Sequence, residues 1–140
     1  MRDLSEIRSL LDELEHQPAD ALEGQDLDFK EWSPRSMRDA VALVVEMAIC
    51  MANGGGGTVV FGVNDKVVGR SNAIRGVPAE VDVNRLKKAV YDSTEPKLTP
   101  EFVELVVPEG TGRLIVMQVS SGLPPYTDTQ GRGKIRVGTD

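Results

Sequence analysis

Cysteine and histidine are almost missing from this 140-residue chain, which has one of each, Cys50 and His16. One thiol closes no disulfide framework, and one imidazole beside it cannot assemble a Cys/His metal cluster. That usage fits a reducing, cytoplasmic setting. The N-terminal residues Met1-Arg2-Asp3-Leu4-Ser5-Glu6 lack the apolar core of a signal peptide. The longest apolar run, from Ala40 to Ala52, is interrupted by Glu46 and is too short for a bilayer span, so no membrane partner is expected. Internal repeats and low-complexity tracts are absent. Positive charge is also short, with a net charge of −6, but the deficit is local. Residues 1–31 hold ten acids and three bases, whereas residues 32–140 hold twelve acids and thirteen bases. The acidity of the first segment therefore does not exclude a polyanionic partner for the rest.

What remains is a chain of 40% hydrophobic and 27% charged residues, the composition of one globular domain. Its most informative stretch is the four consecutive glycines Gly54-Gly55-Gly56-Gly57, which follow Asn53 and join an apolar helical pattern to an apolar strand. Phosphate-binding glycine loops run from strand into helix, so that free N–H groups meet the anion. This tract runs from helix into strand and meets the negative end of the dipole. No Gly-Lys-Ser/Thr follows it, and no GxGxxG follows a strand. The favoured reading is a helix stop, with Gly54 as a left-handed C-cap and a tight passage into a buried strand.

Periodicity supplies the remaining elements. Leu4, Ile7, Leu10, Leu11 and Leu14 predict an amphipathic helix over residues 3–16 with an acidic outer face. Alternation predicts a strand over Leu27–Trp32, with Leu27 and Phe29 on one side and Asp28, Lys30 and Trp32 on the other. Ser36 is a candidate N-cap for a helix from Met37 to about Ala52, apolar on nearly every face and so expected between layers. A central strand over Thr58–Val63, a turn at Asn64-Asp65-Lys66 and a helix over Val81–Asp92 follow. A hairpin joins Phe102–Val107 to Leu114–Val119 across Pro108–Gly112, and a last extended segment covers Lys134–Val137. The order after the first helix is βαβαββ, which predicts an α+β fold: a mixed sheet packed by helices, with an extra N-terminal helix. The expected organisation is an N-terminal helix over residues 1–17 and a domain over residues 18–140, part of a longer protein. The apolar stripe of the first helix must be covered by its own domain or by a second copy, which makes a homodimer an expectation to test.

Four carboxylates, Glu23, Asp26, Asp28 and Asp65, lie at the approach to the first strand and just past the end of the next. If those strands are neighbours, the acids could converge at one sheet edge, as hard oxygen ligands for Mg²⁺ or Mn²⁺ with Lys30 nearby.

The segment Glu23-Gly24-Gln25-Asp26-Leu27-Asp28-Phe29-Lys30 resembles the E-S-x-x-x-E-F-K element of the Schlafen-type, Alba-like (AlbA-2) domain, with Asp28 in place of the usual glutamate. Ala52-Asn53 through Gly62-Val63-Asn64-Asp65 is similar to that family's glycine-rich A-N to G-V-x-D element, and Val68-Gly69 to its following hydrophobe-glycine pair. Pro125-Tyr126 and Ile135-Arg136-Val137-Gly138 resemble its closing P-Y and R-x-G elements. The resemblance implies an Alba-like βαβαββ core and a DNA-binding module of bacterial or archaeal transcriptional-regulator-like proteins. In animal Schlafen proteins similar modules cleave transfer and ribosomal RNA with two glutamates, an aspartate and a divalent metal. By motif those positions are Glu23, Asp28 and Asp65.

The first expectation is therefore a regulatory domain that binds nucleic acid, DNA or RNA, through phosphate contacts. Its candidate cations are Arg35, Arg38, Lys87, Lys88, Arg132, Lys134 and Arg136, and no helix-turn-helix pairing is visible. The alternative is a Mg²⁺- or Mn²⁺-dependent endoribonuclease built on Glu23, Asp28 and Asp65. A third reading is a nucleotide-sensing or protein-interaction module in which Asn53 and Gly54–Gly57 form an anion nest.

Overall fold

The computed structural model describes residues 2–33, 35–122, 125–133 and 135–136. Helix α1 (Leu4–Glu13) starts at Asp3, whose side chain accepts from the Glu6 N–H. A 3₁₀ turn (Ala19–Ala21) leads to strand β1 (Leu27–Lys30), helix α2 (Met37–Asn53) and strand β2 (Gly57–Phe61). A four-residue helix α3 (Arg70–Ala73) and helix α4 (Val83–Ser93) follow, then strands β3 (Thr94–Glu95), β4 (Glu101–Val106), β5 (Arg113–Val119) and β6 (Thr127–Asp128). Ser36 caps α2 as expected, accepting from the Asp39 N–H at 3.1 Å.

The main sheet has the order β1-β2-β5-β4, with β1 parallel to β2 and the other pairs antiparallel. The first two strands are therefore neighbours, and α2 is the crossover between them. A separate two-stranded sheet pairs β3 with β6. Strands two residues long carry no periodic signal, so these were not legible, and neither were α3 and the 3₁₀ turn. The fold is α+β, a mixed sheet packed by helices as expected.

Strand alternation sorts the core into two clusters, one on each face of the sheet. Val59 and Phe61 of β2, with Ile115, Met117 and Val119 of β5, pack against α2 and against Leu86 and Val90 of α4. Val60, Leu114 and Val116 face the other way, towards Leu27, Phe29 and the α1 residues Ile7, Leu11 and Leu14. The apolar stripe of the first helix is thus covered by its own domain. All three of those side chains are at most 1% exposed, so their burial leaves no stripe that requires a second copy. Helix α1 is also shorter than the 3–16 span, its last turn loosening at Leu14–His16.

The glycine tract ends α2, but not by the expected route. Gly54 has φ −90° and ψ 8°, so it is not left-handed. The left-handed residues are Gly55 and Gly56, at φ 100° and 92°. The Gly54 N–H donates to the Cys50 and Met51 carbonyls and the Gly56 N–H to Met51, so the last carbonyls of α2 take up these donors. A Cβ on Gly56 would sit 2.7 Å from the Ser121 nitrogen, and one on Gly57 2.9 Å from the Asp26 carbonyl oxygen. Close backbone approach, rather than an anion, explains these two glycines.

Candidate functional site

Two of the four carboxylates, Glu23 and Asp28, come together at the outer edge of β1, the strand that ends the sheet. Thr58 N–H donates to the Asp26 carbonyl and Gly62 N–H to that of Lys30, so in β1 the even-numbered residues turn their backbone to β2 and the odd-numbered ones turn theirs outward. That outer edge is closed by two side chains. Glu23 Oε2 accepts from the Phe29 N–H at 2.7 Å. Arg136 Nη2 donates to the Leu27 carbonyl at 2.9 Å and to that of Gly24 at 2.7 Å, with Nε also on Gly24 at 3.0 Å. The remaining arm, Nη1, reaches Asp28 Oδ2 at 2.9 Å.

Asp28 is 3% exposed and Arg136 is 2% exposed, so this is a buried ion pair with further hydrogen bonds on the cation. Lys30 Nζ lies 3.7 Å from the same Asp28 oxygen. The segment carrying Arg136 is held by its backbone too. Its N–H donates to the Cys50 carbonyl, and Gln25 Nε2 donates to its carbonyl at 2.8 Å. Gly54 lies beneath this crossing, where a Cβ would meet the Arg136 Cβ at 3.1 Å.

Glu23 is hydrogen-bonded to Asp28, and its carboxyl is pushed up to about 8. Burial is the largest cause, followed by the Asp28 carboxylate, with a smaller push from the charge of Asp65 and an opposing pull from the Phe29 N–H. The protonated form of Glu23 is thereby favoured, while its Oε2 accepts from the strand. Asp26 goes elsewhere, with Arg2 Nη2 3.2 Å from its Oδ1. The structure thus brings Glu23 and Asp28 into contact, sets Asp65 within electrostatic range, and separates Asp26.

Oxygen ligands of Mg²⁺ or Mn²⁺ must be free to turn their lone pairs to the ion. Here Asp28 is committed to Arg136 and Glu23 to the Phe29 N–H. Among the described residues no group of three His, Cys, Asp or Glu side chains could hold a metal ion. The donor set as folded does not fit a divalent ion.

The cations divide differently from the expectation. Arg35, Arg38 and Lys87 are exposed, with no carboxylate partner among the described residues. Lys88 is exposed and pairs with Asp92 at 2.7 Å, and Arg132 is exposed and pairs with Asp128 at 2.7 Å. Arg136 must be corrected. A guanidinium 2% exposed, with every arm hydrogen-bonded within the fold, is not presented to a phosphate surface. Lys134 lies outside the described residues, as does part of the expected Lys134–Val137 strand. Its described members, Ile135 and Arg136, form no strand. Sequence reasoning read Arg136 as surface charge because nothing local shows that a residue 108 positions from Asp28 will close on it.

An open cleft of about 450 Å³ lies between α2 and the 128–133 loop. It brings Arg38 and Arg132 to one site.

The Schlafen, AlbA_2 family model matches residues 23–140. The chain belongs to that family. Its fold is similar to that of the DIP2311 protein from Corynebacterium diphtheriae, with 25% identity and a TM-score of 0.69 over 96% of this chain. This chain spans only 28% of that protein's length. It is also similar in fold to the N-terminal domain of an ATP-dependent DNA helicase RecG-related protein from Nitrosomonas europaea. There the identity is 22% and the TM-score 0.56, over 100% of this chain and 92% of the other. No curated protein matches. In this AlbA_2 domain, no helix among the described residues is long and apolar enough to cross a membrane.

Proposed function

We propose that this AlbA_2 domain binds nucleic acid through sequence-tolerant phosphate contacts on the layer formed by α2 and α4. The observation that carries the reading is the separation of charge across the sheet. Helix α1, with Glu6, Asp12 and Glu13, packs on one face through Ile7 and Leu11. Helices α2 and α4 pack on the other, where Arg35, Arg38, Arg85, Lys87 and Lys88 stand against the carboxylates Asp39, Glu46 and Asp92, so that the cations are in excess there. A body that is acidic overall can then present a cationic side to a polyanion. Family membership and the RecG-related neighbour support the same reading, in which the domain serves a regulator-like protein.

The test is binding of a labelled DNA or RNA as salt is raised from about 50 to about 200 mM. Each lost phosphate contact should flatten the slope of log K against log salt by about 0.7 to 0.9, so Arg35→Gln, Arg38→Gln and Lys87→Gln together should flatten it by about 2 to 3. A slope unchanged by the triple substitution sinks the assignment to this layer.

One observation favours a second reading, the Mg²⁺- or Mn²⁺-dependent endoribonuclease. A carboxyl pushed up to about 8, by burial first and then by a neighbouring carboxylate, is a common mark of a functional site. It requires Arg136 to release Asp28. Under this reading Mn²⁺ raises the melting temperature and Asp65→Asn removes the rise; no Mn²⁺-dependent shift counts against it. For the third reading, Gly54 and Gly56 spend their N–H groups on the last carbonyls of α2, which leaves fewer donors for an anion nest.

A further inference from the structure

The cleft between α2 and the 128–133 loop has an apolar floor, a hydrogen-bonded wall, and a lining that carries the cations Arg38 and Arg132 with the carboxylates Glu46 and Asp128. Its floor is aliphatic: Val45 and Ile49 are buried side chains of α2, and Val41 is half-buried beside them. Ala42, exposed on the same helix, leaves a depression one turn from Arg38 because it projects a single methyl. The wall is the loop that follows β6. Asp128 fixes it by accepting from the Gln130 and Arg132 N–H groups at 2.9 Å each, and its other oxygen takes Arg132 Nε at 2.7 Å. Those bonds hold the loop without consuming the Nη groups of Arg132, whose side chain is 74% exposed. Arg38, from the facing helix, carries no carboxylate partner among the described residues. Thr129 and Gln130 add hydrogen-bonding groups to the same lining.

This combination selects a ligand class. A cleft of about 450 Å³ lies within the ordinary range for small organic groups. An apolar floor suits the face of a nucleobase, side-chain amides and hydroxyls suit its edge, and guanidinium groups suit a phosphate. A paired base inside a duplex presents neither its face nor its Watson–Crick edge, whereas an unpaired one presents both. Resting on the nucleic-acid reading above, we propose that this cleft seats one unpaired nucleotide of a single-stranded nucleic acid. The base lies over Ala42 and Val45, and the adjoining phosphate is held by Arg38 and Arg132.

The test compares fluorescence anisotropy of a labelled single strand of roughly 12 nucleotides, as DNA and as RNA, with the same sequence as a duplex. The proposal predicts that the single strand binds the wild-type protein at least about tenfold more tightly than the duplex. Ala42→Leu fills the depression without changing charge, and the position is exposed, so the melting temperature should hold. It should weaken single-strand binding about tenfold or more and leave the weaker duplex binding as it was. Arg38→Gln should weaken the single strand and flatten its salt slope by about 0.7. Single-strand affinity untouched by Ala42→Leu, or a duplex bound as tightly as the single strand, overturns the cleft assignment while leaving general phosphate binding standing. A wild-type protein that binds neither form overturns the nucleic-acid reading, and this inference with it.

Discussion

Replacing Arg136 with methionine tests the buried clamp on β1 directly. Methionine retains an unbranched apolar stem of similar reach, so the loss is mainly that of the guanidinium. The substitution takes the guanidinium donors from the Gly24 and Leu27 carbonyls, leaving them only the backbone bonds they exchange with each other, and removes the 2.9 Å partner of Asp28, a carboxylate only 3% exposed. Lys30 Nζ, 3.7 Å from Asp28 and more exposed, only partly replaces the guanidinium, and breaking a buried pair from one side costs about 3 to 5 kcal/mol. For a domain of this size that is a fall in melting temperature of roughly 10 to 20 °C. Urea titration is a suitable assay, since Trp32 packs edge-on against Phe61, with ring centroids 5.8 Å apart, and its fluorescence should report loss of the core. Asp28→Asn alone should also destabilise, by leaving Arg136 buried and less compensated. The double variant should be more stable than the sum of the two losses predicts, by about 1 kcal/mol or more, because the two side chains interact. A loss below about 1 kcal/mol for Arg136→Met, or additivity within about 0.5 kcal/mol, would refute the clamp.

Glu23 holds a proton in the folded protein that the unfolded chain releases near its ordinary value of 4.5, so its favourable contribution is lost as pH rises through about 8. Glu23→Gln can still accept from the Phe29 N–H and donate to Asp28; it should match the wild type near pH 5 and exceed it by about 1 kcal/mol above pH 8, after discounting for solvent screening. Parallel stability curves between those pH values would contradict this. Gly56→Ala combines a left-handed φ with backbone atoms 2.7 and 2.8 Å from the new Cβ. Gly55→Ala has the same strain in open space. Chemical denaturation should therefore show Gly55→Ala losing about 1 to 2 kcal/mol and Gly56→Ala clearly more. Leu11→Ala should cost about 2 to 5 kcal/mol if α1 is integral to the core, and a loss under about 1 kcal/mol would show that the helix is an appendage.

Periodicity and punctuation were enough to determine the long elements. The α1 stripe, the Ser36 cap, the apolar run of α2, the central β2 and the β4–β5 hairpin all follow from contacts close in sequence. The ordered motifs from Glu23 to Arg136 were enough for the family. The charge asymmetry between the first 31 residues and the rest was legible too, although only the packing of α1 on one face of the sheet and of α2 and α4 on the other placed those charges in space. Tertiary structure alone decided the candidate site. It drew Arg136 from the surface into the edge of β1, gave Glu23 a strand N–H and a neighbouring carboxylate, sent Asp26 to Arg2, and set Arg132 across a cleft from Arg38. Pairings over such separations in sequence leave no local pattern, because they arise from which chain segments the sheet order makes neighbours. The identity of a charged residue shows that it needs a partner or water, and only the fold decides which it receives.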